Sequence, residues 1–329
     1  MFMLLATAAI VIGFLILIWS ADVFIAGAAA LAANLGMSPI IIGLTIVSIG
    51  TSAPEILVSL TAALTDAGEL AIGNAIGSNI ANIGLVLGMT LLIAPLKVHP
   101  GCMRRELPTL LLVTLGTAVL LIDGELSRVD GIVMLATLAV IMTSMLRGEA
   151  TDPELLQEAS ELTRQPAPLR TAWLKFGGGL LLLVASSRLL VWGATGIAEQ
   201  LGVSQLIIGL TIVAIGTSLP ELAATVASAL RGHADIAVGN VIGSNLFNLL
   251  AVMAIPGLIE TQVLSELVLY RDYLTMAGMT LLLAAAVYLS RGRRKSGDGG
   301  YAYIGRSLGL LLLAGYGLYY YWLYRTRQA

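Results

Sequence analysis

Shifted by 166 residues, the sequence lies on itself without a gap. Residues 41–55 (IIGLTIVSIGTSAPE) fall on residues 207–221 (IIGLTIVAIGTSLPE), and only two of those fifteen positions differ. The same register lays residues 73–82 (GNAIGSNIAN) on 239–248 (GNVIGSNLFN), Arg105-Glu106 on Arg271-Asp272, and the first apolar run on the sixth. Identity held at one long offset marks an internal duplication, with its junction near residues 150–170.

Composition says in which solvent the two copies fold. The chain is 57% apolar and 12% charged, with mean hydropathy +0.91, against about 45–50% and about 25% in soluble proteins. Runs at residues 2–19, 107–122, 132–146 and 308–324 approach the length that crosses about 30 Å of hydrocarbon. This is a polytopic membrane protein. A net charge of −2 leaves no basic field for nucleic acid. Cys102 alone cannot form an intrachain disulfide, and His99 and His233 alone make a zinc site of the His/Cys type unsupported.

Hydrophobic runs and polar breaks predict ten spans, near residues 3–33, 38–65, 70–94, 105–122, 130–146, 171–199, 204–230, 235–258, 272–290 and 303–324. The first is read as a span, not a cleaved leader, because it lacks a basic lead and has a counterpart in the second copy. Residues 147–170, with Glu149, Asp152, Glu154, Glu158 and Glu161 among prolines, read as a solvated linker. Five spans per copy is an odd number, so the second copy enters the membrane upside down. The predicted fold class is therefore all-α and polytopic, ten transmembrane helices arranged as two inverted five-helix repeats. The predicted division is 1–147 for the first repeat, 148–170 for a cytoplasmic linker and 171–329 for the second repeat. With the N-terminus outside, thirteen basic residues fall on the cytoplasmic side and four on the outer side, with Arg188 inside a span. That positive-inside bias predicts both termini outside, and the short linker suits a prokaryotic inner membrane.

Spans two and seven carry Gly-Thr-Ser-X-Pro-Glu in the middle of otherwise apolar helices. An acidic side chain at that depth costs about 2.5–3.5 kcal/mol on insertion scales, so Glu55 and Glu221 are functional candidates. Pro54 and Pro220 remove a helix donor, and Gly50 and Gly216 ease unwinding. That predicts freed carbonyls around Ser48 and Ala214, for which a cation is a suitable partner. Ser48, Thr51, Ser52 and Glu55 lie at i, i+3, i+4 and i+7, on one helical face, and Ala214, Thr217, Ser218 and Glu221 repeat it. Spans three and eight add Ser78 and Asn82, and Ser244 and Asn248, each pair at i, i+4. Gly73, Gly77, Gly239 and Gly243 offer small surfaces for close helix contact. Every potential ligand is an oxygen, which suits hard cations and calcium in particular. Interhelical hydrogen bonding accounts for any single serine, threonine or asparagine. It does not account for two buried glutamates at symmetric positions, each beside a helix breaker. Asn79 and Asn245 are expected between helices. Asp22 and Arg188 are repeat equivalents, but inversion places them in opposite halves of the membrane; each is expected to pair locally or face water, with no ligand role.

These paired motifs resemble the α-repeats of the cation/calcium antiporter family, the sodium/calcium exchangers, and the chain is most similar to its short bacterial members. The resemblance covers nearly the whole sequence. It implies ten spans and a cluster of sodium and calcium sites between spans two, three, seven and eight. Carried over by position, Thr51, Glu55, Thr217 and Glu221 would hold calcium. Ser48 and Ala214 through their backbones, with Ser52, Ser78, Ser218 and Ser244, would complete flanking sodium sites, and Asn82 and Asn248 would stand at the centre. Spans one and six would be a sliding gate. Some members carry aspartate where this chain has Asn248, so the fixed charge here is −2, enough to balance one calcium, two sodium ions or mixtures with protons.

The resulting expectation is exchange of calcium for sodium by alternating access, with calcium/proton or sodium/proton exchange at the same carboxylates as the alternative. The ions are cargo, and no cofactor or protein partner is expected. A channel fits poorly with an off-axis inverted duplication. An enzyme has no support, since Gly-x-x-x-x-Gly-Lys-Ser/Thr, His-Glu-x-x-His and Gly-x-Ser-x-Gly are all missing from the sequence.

Overall fold

A computed structural model describes residues 2–37, 39–65, 68–149, 167–201, 214–292 and 301–326. Residues 150–166 of the linker expected at 148–170, and residues 204–213 of the seventh span expected at 204–230, lie outside the described residues, while helices reach into the expected linker at both ends, to Glu149 and from Leu169. The first repeat contains α1 (Phe2–Leu35), the bent pair α2 (Gly43–Thr51) and α3 (Ala53–Leu64), and α4 (Gly68–Ile93). Strand β1 (Leu96–Val98), α5 (Pro100–Arg104), α6 (Glu106–Leu120), β2 (Glu125–Leu126) and α7 (Arg128–Glu149) complete it. The second contains α8 (Leu169–Gln200), α9 (Ala214–Thr217), α10 (Leu219–Leu230), α11 (Ala234–Ile259) and β3 (Gln262–Val263). It ends with α12 (Val268–Ser290), β4 (Ala302–Ile304) and α13 (Arg306–Thr326).

Among the described residues six helices are long and apolar enough to cross a membrane, and the α2–α3 pair makes a seventh. Burial sorts them into two layers. In α4 and α11, 72% and 78% of the most apolar stretch is buried, against 22% in α1, 17% in α7 and 29% in α8. The two central helices carry small and polar residues on every face because other helices surround them. The peripheral ones turn Leu15, Leu112, Val140 and Leu181 outward, 62% to 73% exposed, as helices facing hydrocarbon do.

Two short ribbons tie the repeats together and check the topology. Strand β1 pairs antiparallel with β4, Leu96 opposite Ile304, and β2 pairs with β3, Glu125 opposite Val263. In the ten-span count β1 follows three crossings and β4 follows nine, whereas β2 follows four and β3 eight. Paired strands must lie on one side of the membrane, and these counts put them there. Dropping the seventh segment as a crossing would part both ribbons. The ribbons then sit on opposite faces, as an inverted duplication requires.

Close approach between the repeats depends on glycine. A Cβ at Gly243 of α11 would stand 2.5 Å from the Leu44 carbonyl oxygen, and one at Gly43 would stand 2.7 Å from that of Ile236. Both distances are far inside contact, so these helices meet backbone to backbone. A Cβ at Gly73 or Gly77 would meet no described atom of another element within 4 Å; the face that would meet them in the repeat register, residues 209–213, lies outside the described residues.

Candidate ion site

The helix breaks set the site. The α2–α3 pair bends by 51° at Ser52, whose φ and ψ (−82°, 5°) leave the helical region, and Ser218 repeats the break (−86°, 2°). Pro54 and Pro220 follow in the first turn of the new helix, where a missing N–H costs nothing. Each glutamate consequently sits in the first turn of a half-helix, at the positive end of its dipole. That partly offsets placing a carboxylate at this depth.

The freed carbonyls differ between the repeats: the Ser218 N–H turns to Ile215 O at 3.1 Å and so leaves Ala214 O without its helical donor, as expected, whereas Ser48 O keeps its own. Proline deprives the carbonyl four residues before it, which is Gly50 for Pro54 and Gly216 for Pro220. Gly216 O is met by the Ser187 hydroxyl of α8 at 2.7 Å. Ser48 O instead accepts the Ser52 N–H at 2.9 Å and the Thr51 hydroxyl at 3.4 Å. The backbone of Ala214 opens α9, and its side chain lies outside the described residues.

Glu55 and Glu221 are each 1% exposed and close enough to interact electrostatically across the repeat interface. The Ser52 hydroxyl donates to Glu221 Oε1 at 3.2 Å, with Thr51 also in reach, so the face behind one glutamate serves the other. The turn containing Asn82 packs on α10, which carries Glu221; the turn containing Asn248 packs on α3, which carries Glu55. Both asparagines open a π-helical turn, Asn82–Leu87 and Asn248–Val252, a rare widening found mostly at functional sites.

Satisfaction of polar atoms separates structural from candidate ligand groups. The second carboxylate oxygens of Glu55 and Glu221, both amide ends of Asn82 and Asn248, and the hydroxyls of Ser218 and Ser244 are buried without a hydrogen bond among the described residues. Leaving such groups unpaired costs about 1–3 kcal/mol each, more for charged ones, and for the oxygens among them a hard cation is a fitting partner, whereas the two amide nitrogens are donors and need an acceptor. Ser78 is buried on the same helix as Asn82, and Thr217 is half-buried. Of the residues expected between helices, Asn79 donates to Asn245 O at 3.3 Å and to Met276 Sδ at 3.4 Å. The Asn245 amide makes no hydrogen bond of its own among the described residues.

Two residues of the site were not singled out from the sequence. Asn240 Oδ1 accepts from Thr51 at 3.2 Å and its amide donates to Thr225 at 2.9 Å, while its carbonyl accepts from Ser48 at 3.4 Å. Its equivalent, Asn74, donates to Ser59 at 3.1 Å and to Glu55 O at 3.2 Å. Each asparagine ties the central helix to the glutamate-bearing helix of its own repeat, and Asn240 also reaches across. The signal was available: Asn74, Ser78 and Asn82 run i, i+4, i+8 along one face. Asp22 pairs not locally but with Arg231 at the end of α10, 209 residues away, and Arg188 is exposed.

Known proteins place this architecture. The family model for "sodium/calcium exchanger protein" matches residues 5–147 and 171–325, one half in each repeat. The chain is 45% identical to the putative antiporter CaxA of Alkalimonas amylolytica, over 98% of this chain and all of that one. It is 41% identical to the inner membrane protein YrbG of Escherichia coli (strain K12), over 95% of each. The solved structure of the sodium-calcium exchanger NCX_Mj superposes with TM-score 0.81 at 32% identity, covering 95% of this chain and 97% of that one. The chain thus belongs to the sodium/calcium exchanger family, as a multi-pass membrane antiporter of ten spans in two inverted repeats and not an enzyme.

Proposed function

We propose that this protein exchanges calcium for sodium across the membrane by alternating access, with Glu55 and Glu221 as the charged ligands of one shared site. The observation that carries the reading is the set of buried oxygens on the glutamate-bearing and central helices that have no partner among the described residues, with the two glutamates close enough to interact. Calcium takes six to eight oxygens at about 2.3–2.6 Å, and a −2 site neutralises it without a bound anion. Thr51 and Thr217 flank the calcium. Ser52, Ser78, Ser218 and Ser244, with the Ala214 backbone, serve sodium ions beside it, and Asn82 and Asn248 lie between; the Ser48 carbonyl, already accepting from the Ser52 N–H and the Thr51 hydroxyl, is left out of that set. The same −2 charge balances two sodium ions, which makes exchange at one site possible without simultaneous occupancy.

A second reading exchanges protons instead of sodium. It is favoured by neutral Asn82 and Asn248, which leave the two carboxylates alone to carry charge compensation, and closely spaced carboxylates readily share a proton. In either case the orientation follows the basic residues: N- and C-termini outside, with Lys97, Arg104, Arg105 and Arg231 on the cytoplasmic face of an inner membrane. The test is calcium-45 uptake into proteoliposomes with sodium and proton gradients imposed separately. Uptake driven by a sodium gradient alone supports the first reading; uptake that needs a proton gradient and ignores sodium replaces it with the second.

A further inference from the structure

Spans one and six are repeat equivalents, yet they are packed differently. Helix α1 lies along α10, where Leu219, Ala223 and Ala227 pack into the cluster built around Phe24, Ile25 and Ala28. The counterpart arrangement would lay α8 along α3, and no residue of α3 belongs to that cluster. Exposure follows the packing. On α3, Leu57 and Leu60 are 50% and 40% exposed, while their equivalents on α10, Ala223 and Val226, are half-buried.

The two halves of this asymmetry lead in opposite directions. Helix α10 runs from Glu221 to the face reached after seven crossings, and α3 runs from Glu55 to the face reached after two. The route from the site along α10 is therefore covered by α1, whereas among the described residues the route along α3 lacks the equivalent cover. Two inverted copies with unequal packing imply a second state in which the roles are exchanged, α8 along α3 and α1 away from α10.

The Asp22–Arg231 ion pair stands on the covered route, joining α1 to the last residue beyond α10. In the repeat register its partners become Arg188 and Thr65, which cannot form an ion pair. We infer that Asp22 and Arg231 are positioning residues for transport: their pair ties the gate shut toward the cytoplasmic face, and the exchanged state has no equivalent tie. The inference rests on the alternating-access reading and gives the cycle a built-in bias toward the outward-open state. The side chains are 53% and 36% exposed, so the tie is a modest one. Exposed pairs of this kind shift an equilibrium by about two- to fivefold.

Thiol labelling reads the gate directly, because Cys102 is the chain's single cysteine and is buried. Full-length protein carrying Ala223→Cys is treated, in membrane vesicles of each orientation, with a membrane-impermeant maleimide. Asp22→Asn or Arg231→Gln should raise labelling from the cytoplasmic face about two- to fivefold. Arg231→Lys, which keeps the charge, and the reversed pair Asp22→Arg with Arg231→Asp should return it to the parent rate. Parent-like labelling in both neutral variants overturns the inference, and so does a reversed pair that labels as fast as they do. The labelling needs no calcium flux, so its failure leaves the exchange reading intact. Absence of flux from the parent protein would strike that reading without touching the labelling.

Discussion

Replacing Gly243 by alanine puts one methyl group where the two repeats meet. The new Cβ would lie 2.1 Å from Ser48 Oγ, 2.5 Å from Leu44 O and 2.8 Å from Leu44 Cα. The serine hydroxyl can rotate away, giving up its bond to the Gly43 carbonyl. The Leu44 backbone cannot. Restoring ordinary contact requires α2 and α11 to separate by about 0.7–1 Å, the kind of overpacking that costs about 1–3 kcal/mol. The protein should stay folded, but the displacement falls on the site itself, since Ser244 and Asn248 follow on α11, and Thr51 ends α2 with Ser52 at the bend beyond it. Cation ligation tolerates only a few tenths of an ångström, so calcium affinity should fall at least about tenfold, or about 1.4 kcal/mol. The apparent KM for calcium-45 uptake, read beside a thermal melt in detergent, measures both effects. Gly116→Ala is the control, because nothing lies within 4 Å of its Cβ and its helix face is exposed. A parent-like KM in Gly243→Ala would refute the backbone-to-backbone contact, and with it the placement of α11 beside Ser48.

Glu55→Gln and Glu221→Gln should each abolish calcium uptake while leaving expression and melting near parent values; retained sodium-driven flux in either would remove that carboxylate from the site. Ser52→Ala deletes the hydroxyl that donates to Glu221 across the interface, and a lost bond of about 1 kcal/mol should raise the calcium KM about fivefold. Asn240→Ala leaves the Thr225 hydroxyl without its amide donor and removes the acceptor that ties Thr51 to the other repeat, so both stability and calcium affinity should drop, the former by about 1–3 kcal/mol. Protons and calcium compete for the same two carboxylates, so the calcium KM should rise as pH falls; a KM constant from pH 8 to 5 would separate the carboxylates from the cation.

Much of the architecture was legible in one dimension. The 166-residue register, the odd number of spans per copy and the proline-glutamate breaks are periodic or local, and inversion follows from parity alone. The hydroxyl face behind each glutamate was legible for the same reason, because helical spacing maps sequence onto a face. What that face serves was not. Ser52 turns to Glu221 of the other repeat, and Thr51 to Asn240, through contacts between residues about 170–190 apart. Only helix packing decides those distances. The fate of the carbonyls also needed geometry: the bend at Ser52 leaves both Ser48 O and Gly50 O with backbone N–H donors, while at Ser218 the N–H goes to Ile215 O and Gly216 O is met by the Ser187 hydroxyl.

The sequence by itself determined a duplicated, inverted membrane bundle with one glutamate per copy, because those properties depend on composition, period and parity. The tertiary structure decided what two near-identical copies do differently. One carries α1 against its glutamate-bearing half-helix and a salt bridge at its end; the other leaves Leu57 and Leu60 uncovered. A sequence symmetric over its motifs cannot say which half is covered, since either choice satisfies the same pattern. Packing makes the choice, and the unmatched charges of Asp22 and Arg231 give it a reason.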